Sequence, residues 1–256
     1  MCAPLGNEPL PIESGKSASL LPEIPEVYAH FSSLIALAKE RFGGELGGKL
    51  LLYRQLDAPG AVVALAANIA GAATLGVDSD SERLRQGIRH GFCDFVVNNL
   101  DEALRILKNE VRKKQPVSVC LEGDLARTMR QAVERGLQPD LLALPETIGE
   151  VKVLIERGAV VLDAEPPPDP ALTGVKWTAE SAPAVWLARV DAIAAKVLSP
   201  GDARRRWLKF APRYLGRTMA ACHYLRMTVA ELEAFSGLVE SAMASGELGT
   251  KVTIRS

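Results

Sequence analysis

The chain has 256 residues, long enough to bury roughly three quarters of its unfolded surface in one large domain or in a domain with an appendage. Its net charge of −1 creates no global field favouring nucleic acid or anionic lipid. The four cysteines, Cys2, Cys93, Cys120 and Cys222, lie too far apart in sequence for a metal-ligand or redox motif. No basic segment followed by an apolar run opens the chain, so the sequence predicts no secretory leader and a reduced, cytoplasmic setting.

In chain order, residues 1–25 hold five prolines and little periodicity, which predicts an extended arm. Residues 26–42 place Val27, Phe31, Leu34, Ile35 and Ala38 at helical spacing, and Gly43-Gly44 stops that helix. The central unit follows. Residues 49–53 read as a short buried strand, Asp57-Ala58-Pro59-Gly60 as a turn, 61–73 as an Ala-rich helix and 74–78 as a second strand ending on Asp78. Strand, turn, helix and strand ending in an acid is the layout of a dinucleotide-binding βαβ unit, although only Gly60 of the usual glycines lies in the turn. No charge falls between Asp57 and Asp78, but this stretch is mostly Ala and Gly rather than the Leu, Ile, Val and Phe that drive insertion, so a membrane span is set aside.

Strand and helix patterns then alternate. Strands are predicted at 92–97, 117–121, 141–144 and 159–162, and helices at 81–89, 99–113, 124–135 and 146–157. This alternation predicts a Rossmann-like, doubly wound α/β fold with a mostly parallel sheet. Pro166-Pro167-Pro168 and Pro170 mark a boundary. Beyond them the chain reads as mainly helical, at 182–197, 200–214 and 228–244, with a short strand at 251–255. Thr228 and Glu231 form a capping-box pattern. The domain reading is an arm and helix at 1–45, a Rossmann-like domain at 46–165, and a helical segment at 166–256 that packs with the N-terminal helix.

The candidate site residues each have two readings. Asp78 is a ribose acceptor or the cap of the next helix. Arg83 and Arg85 are phosphate contacts or a solvated helix face. Asp124, in the Glu122-Gly123-Asp124 loop, is a ligand contact beyond a strand end or a helix cap. Arg204-Arg205-Arg206, Lys209, Arg213 and Arg217 form a basic cluster, but Trp207, Phe210 and Tyr214 fall on one face among them, which favours core over nucleic acid. His30, His90 and His223 show no partner at motif spacing, and no catalytic residue or metal site is assigned.

Several blocks resemble the NAD-binding domain of the urocanases (urocanate hydratases). They are Arg41-Phe42-Gly43-Gly44-Glu45-Leu46-Gly47-Gly48-Lys49, Ala66-Ala67-Asn68-Ile69-Ala70-Gly71-Ala72 and Gly91-Phe92-Cys93-Asp94. The likeness continues through Leu100-Asp101-Glu102-Ala103-Leu104, Pro116-Val117-Ser118-Val119 and Arg135-Gly136-Leu137-Gln138-Pro139-Asp140. Arg206-Trp207-Leu208 and Ser245-Gly246-Glu247-Leu248 resemble the family's last segment, and Glu13-Ser14-Gly15-Lys16 echoes a family Gln-Ser-Gly-Lys. The resemblance implies a Rossmann-type domain that holds NAD⁺ as an electrophile, hydration of urocanate to imidazolonepropionate, and a homodimer. Gly60, Asp78, Arg83 and Asp124 are the candidate cofactor-binding residues; the resemblance matches Gly60 to the family's turn and Arg83 to a family Arg, and Asp78 stands where the family has Glu.

The departures fall where that chemistry lives. The family's Gly-Leu-Gly-Gly-Met-x-Gly-Ala-Gln turn corresponds to Gln55-Leu56-Asp57-Ala58-Pro59-Gly60-Ala61-Val62-Val63, which sets Asp57 beside the expected pyrophosphate. The family's Asp-Gln-Thr-Ser segment reads Leu144-Pro145-Glu146-Thr147, and the stretch carrying the family's active cysteine has no counterpart between 168 and 182. The expectation is therefore a shortened urocanase homologue, not a working hydratase, that binds a nucleotide or another small ligand. Two alternatives stand beside it: a divergent NAD-dependent hydro-lyase of the urocanate hydratase type, and a non-catalytic partner of a full-length enzyme. Neither nucleic acid nor membrane is expected as a partner.

Overall fold

The computed structural model describes residues 21–145, 147–163, 167 and 169–256. The expected arm lies almost wholly outside the described residues, as do Glu146 and most of the proline run.

Six strands form one parallel sheet: β1 (Leu50–Tyr53), β2 (Ala73–Asp78), β3 (Phe95–Val97), β4 (Ser118–Glu122), β5 (Leu141–Ala143) and β6 (Val160–Val161). Their order across the sheet is β3-β4-β2-β1-β5-β6. From β1 the chain moves to β2, skips a place to the edge strand β3, returns to insert β4 between β2 and β3, and then lays β5 on the other side of β1. The β1/β5 boundary is thus the switch point, and the loops beyond the carboxyl ends of the strands are where such a sheet places ligands. All six predicted strands are present in the expected sheet. The central strands are buried along their whole length, which is why they read as continuous apolar runs rather than alternating ones.

Helices cover both faces. On one lie α1 (Ile24–Arg41), α2 (Ala58–Ala70) and α3 (Ser81–His90); on the other α4 (Leu100–Arg112), α5 (Leu125–Glu134) and α6 (Gly149–Glu156). Every residue of α2 from Gly60 to Ala70 is buried. Its alanines give it a narrow profile that fits between the sheet and a second layer of helix. Gly71 ends it in the left-handed conformation at φ 109°, donating to Ala67 O, while the buried Asn68 amide donates to Ala72 O. The helix α6 begins three residues later than predicted, because Pro145 and Ile148 close a turn first.

The segment after the prolines contains α7 (Pro183–Val197), α8 (Arg204–Leu215), a 3₁₀ turn (Gly216–Met219) and α9 (Val229–Ala244). It also holds an antiparallel sheet that the expectation of a mainly helical segment did not include. This sheet has β7 (Thr173–Ala179) at its centre, flanked by β8 (His223–Met227) and β9 (Val252–Arg255). Only β9 was predicted. The start of α8 falls four residues after the predicted 200 because Asp202 turns back to accept from Arg204 N at 2.8 Å. The capping box of α9 is formed as the sequence predicts.

The N-terminal helix packs with this segment through aromatic rings. Tyr28 meets Trp207 edge-on at 4.9 Å and Tyr224 at 5.4 Å, and Phe31 lies 5.3 Å from Trp207. The Trp207 indole N–H donates to Tyr224 O at 2.7 Å, so the large apolar body is buried without an orphaned donor. Arg206 reaches from α8 to Ile69 O at the end of α2. The flanking helical layer is therefore built from both ends of the chain.

Candidate functional sites

The first site is the carboxyl edge of the parallel sheet. Asp57 caps α2, its Oδ1 accepting from Gly60 N at 2.9 Å, and the Gln55 side-chain amide donates to its Oδ2. Pro59 occupies the first turn, where its lack of an N–H is tolerated but removes a donor. Gly60 is required sterically: a Cβ there would stand 1.7 Å from Gln55 O. The 55–60 turn is thus folded tightly on itself, with a carboxylate at the helix N-terminus, the place where an anion would otherwise sit.

Asp78 lies at the end of β2 and is 3% exposed. Its Oδ2 accepts from Leu56 N at 2.9 Å and Arg83 Nε at 2.8 Å; its Oδ1 accepts from Asp80 N at 2.9 Å and from Arg83 at 3.0 Å. Four donors fill the roughly four lone-pair positions of a carboxylate. Burial alone would raise the Asp78 pKa, but the Arg83 and backbone hydrogen bonds outweigh it and hold the carboxyl below its usual range. The α3 cap is Asp80, not Asp78, accepting from Glu82 N and Arg83 N. Arg83 is committed to Asp78 and lies within 3.5 Å of Asp80, while Arg85 pairs with Glu82 on the exposed face. Asp124 caps α5, accepting from Arg127 N at 2.7 Å. The fold brings all four candidates to one edge of the sheet, with Gly123 N bonded to Asp78 O to join the β2 and β4 loops.

The second site was not visible in the sequence. A cleft of about 540 Å³ opens between α7, α8 and the 3₁₀ turn, with the first residue of β8 in its wall. That residue is His223. Its Nδ1 lies 2.8 Å from both oxygens of Asp191 on α7, and the Trp177 indole N–H donates to Asp191 Oδ1 at 3.1 Å. Burial pushes the Asp191 carboxyl up, against the lowering effect of the His223 and Trp177 contacts. The partners are 32 residues apart in sequence, so no motif spacing could reveal them. The available signal was Asp191 itself, an acid on the buried stripe of α7 formed with Leu187, Val190 and Ala194.

No cluster of metal-ligating side chains occurs among the described residues. Cys93 is held far above the usual thiol range by its hydrogen bond with Cys120 and by burial, and burial likewise raises Cys222. Neither has the character of an activated nucleophile.

Residues 27–144 match the family model of the urocanase Rossmann-like domain. The matched span runs from α1 through β5, so it takes in the Asp57 turn, Asp78, Arg83 and Asp124, but stops before the His223–Asp191 cleft. Residues 27–144 of this chain are thus similar to the urocanase Rossmann-like domain, and the likeness is to that segment.

Proposed function

We propose that this urocanase-related protein is a small-ligand-binding protein, not a working urocanate hydratase, and that it does not retain NAD⁺. The observation that carries this reading is the Asp57 carboxylate on the N-terminus of α2. A dinucleotide turn needs free backbone N–H groups and a positive helix end facing the pyrophosphate. Here that end is neutralised by a side chain, and a bound pyrophosphate would meet like charge. The residues present therefore do not fit the cofactor. Asp78 supports the same reading, because accepting a ribose hydroxyl would require it to give up Leu56, Asp80 or Arg83.

The basic cluster fits a protein without a nucleic-acid partner. Arg204 is spent on Asp202 and Glu231, Arg205 on the Leu198 and Ser199 carbonyls, and Arg206 on Ile69 O. Among the described residues no helix is long and apolar enough to cross a membrane.

The test is calorimetric titration of NAD⁺ into the protein and into its Asp57→Gly variant. The expected result is no measurable binding, or binding weaker than micromolar, with a gain on removal of the carboxylate. Submicromolar binding by the unmodified protein, or NAD⁺ copurifying at near one per chain, overturns the proposal. Either result favours the second reading, a divergent NAD-dependent hydro-lyase, for which the family match speaks.

A further inference from the structure

We propose that the cleft between α7 and α8 binds a small hydroxycarboxylate, with His223 Nε2 accepting the ligand's hydroxyl and Lys209 and Arg205 attracting its carboxylate. This site lies outside the segment matched to the Rossmann-like domain and does not depend on the sheet edge.

Trp177 Nε1–H and His223 Nδ1 converge on one carboxylate, the arrangement expected of an ionised Asp191 receiving two donors. In the neutral tautomer that donates from Nδ1 to Asp191, the ring carries a lone pair on Nε2. No side chain or backbone group pairs with Nε2 among the described residues. The His223 side chain is only 9% exposed, and the space it lines is the cleft. Nε2 is not sealed from solvent, so a ligand hydroxyl that donates there takes the place of water in the cleft.

The walls define the rest of the ligand. Ala184, Ala188 and Ala192 stand four residues apart on one face of α7, and their small side chains leave the volume open. Leu208 adds apolar surface from α8. Such a cavity, mostly apolar with a few converging polar groups, has the size and character of a small-molecule site. Its cationic lining comes from Lys209, which is exposed, and from Arg205, whose Nε and one terminal nitrogen are anchored on the carbonyls ending α7. Among the described residues Asp191 is the only acid in the wall, and it is already engaged by His223. A carboxylate is therefore favoured at the rim, a compact apolar body along the alanines, and a hydroxyl at His223.

The experiment is calorimetric titration of the full chain with mandelate and with phenylacetate, which lacks the hydroxyl, read beside the ¹⁵N signals of the His223 ring. Mandelate is expected to bind in the millimolar range, about tenfold tighter than phenylacetate, and to move the Nε2 signal. Ala192→Phe, at an exposed position on the cleft wall, should abolish binding of both acids. Lys209→Ala should weaken both about threefold. His223→Gln should abolish the preference for the hydroxyl while phenylacetate still binds. Should that variant fail to fold, the two exposed-site variants carry the test. The proposal is overturned if neither acid produces heat or a ring shift at high millimolar concentration. It is also overturned if binding survives Ala192→Phe, or if the unmodified protein binds both acids equally.

Discussion

The sheet edge and the cleft are built around the same group, a buried aspartate with converging donors, yet they end in different states. Asp78 receives four donors from its own neighbourhood, and its partner Arg83 is turned inward to serve it. Asp191 receives two, and one of them belongs to a ring whose second nitrogen faces open space. The edge is where a doubly wound fold would place a ligand, but its polar groups satisfy one another. The cleft has no such topological claim, but its polar chain is unfinished. Position in the fold and availability for binding are separate properties, and here they point to different places.

The sharpest way to break this contrast is Gly60→Ala. The added carbon would collide with the Gln55 carbonyl, which cannot rotate away as a side chain could. A loss of about 3 kcal/mol or more in chemical denaturation is expected; a neutral effect would mean that the turn is not self-packed.

Next comes Asp78→Asn. It replaces an acceptor-only group with one that turns two donors toward existing donors, and should cost about 3 kcal/mol. Because the folded carboxyl is held below its unfolded value, its contribution is fully present above about pH 3.9 and is lost as pH falls through the folded value. The unmodified protein should therefore lose stability over that acid range with a contribution that Asp78→Asn lacks, as measured by denaturation at stepped pH.

A smaller effect, about 1–2 kcal/mol, is expected for Asp191→Asn, because the amide can still accept from Trp177. The informative readout is the His223 tautomer. The Asn side chain can donate to Nδ1 and move the ring proton to Nε2, so ¹⁵N spectra should show the tautomer reversed. The smallest effect, about 1 kcal/mol, is expected for Asp57→Ala, which removes a helix cap and a half-buried contact with the Gln55 amide. Thermal unfolding measures it, and a loss comparable to that of Asp78→Asn would show that the turn depends on Asp57 for more than these contacts.

Much of the Rossmann-like half was legible because its information is local. Leu50-Leu51-Leu52-Tyr53 is buried on both faces and reads as a strand from composition alone, and Asp124 announces its helix by position. The C-terminal half hides its information in long-range pairing. β7 alternates cleanly, with Val175, Trp177 and Ala179 buried and Lys176 and Thr178 exposed, so a period-two signal was present. It was overshadowed by the prolines before it and the helical pattern after it. β8 offers less, since four of its five residues are buried and no alternation survives. The cleft was illegible for the same reason: Trp177, Asp191 and His223 come from a strand, a helix and another strand, and only the tertiary fold makes them neighbours.

Arg206 has a bearing on how this chain can be divided. It donates to Ile69 O, 137 residues earlier in sequence, and its guanidinium lies against Gly71, where an added Cβ would stand 2.8 Å from it. With Trp207 beside it against α1, it makes the C-terminal segment the outer cover of a helix that has no polar face of its own. The matched span 27–144 is thus a unit of sequence similarity whose central helix is covered by residues from outside it. Cut away from residues 204–215, it would expose α2 to water, and the contacts that close the core join the chain's distant ends, a topology that delays completion of folding until the last helices have been made.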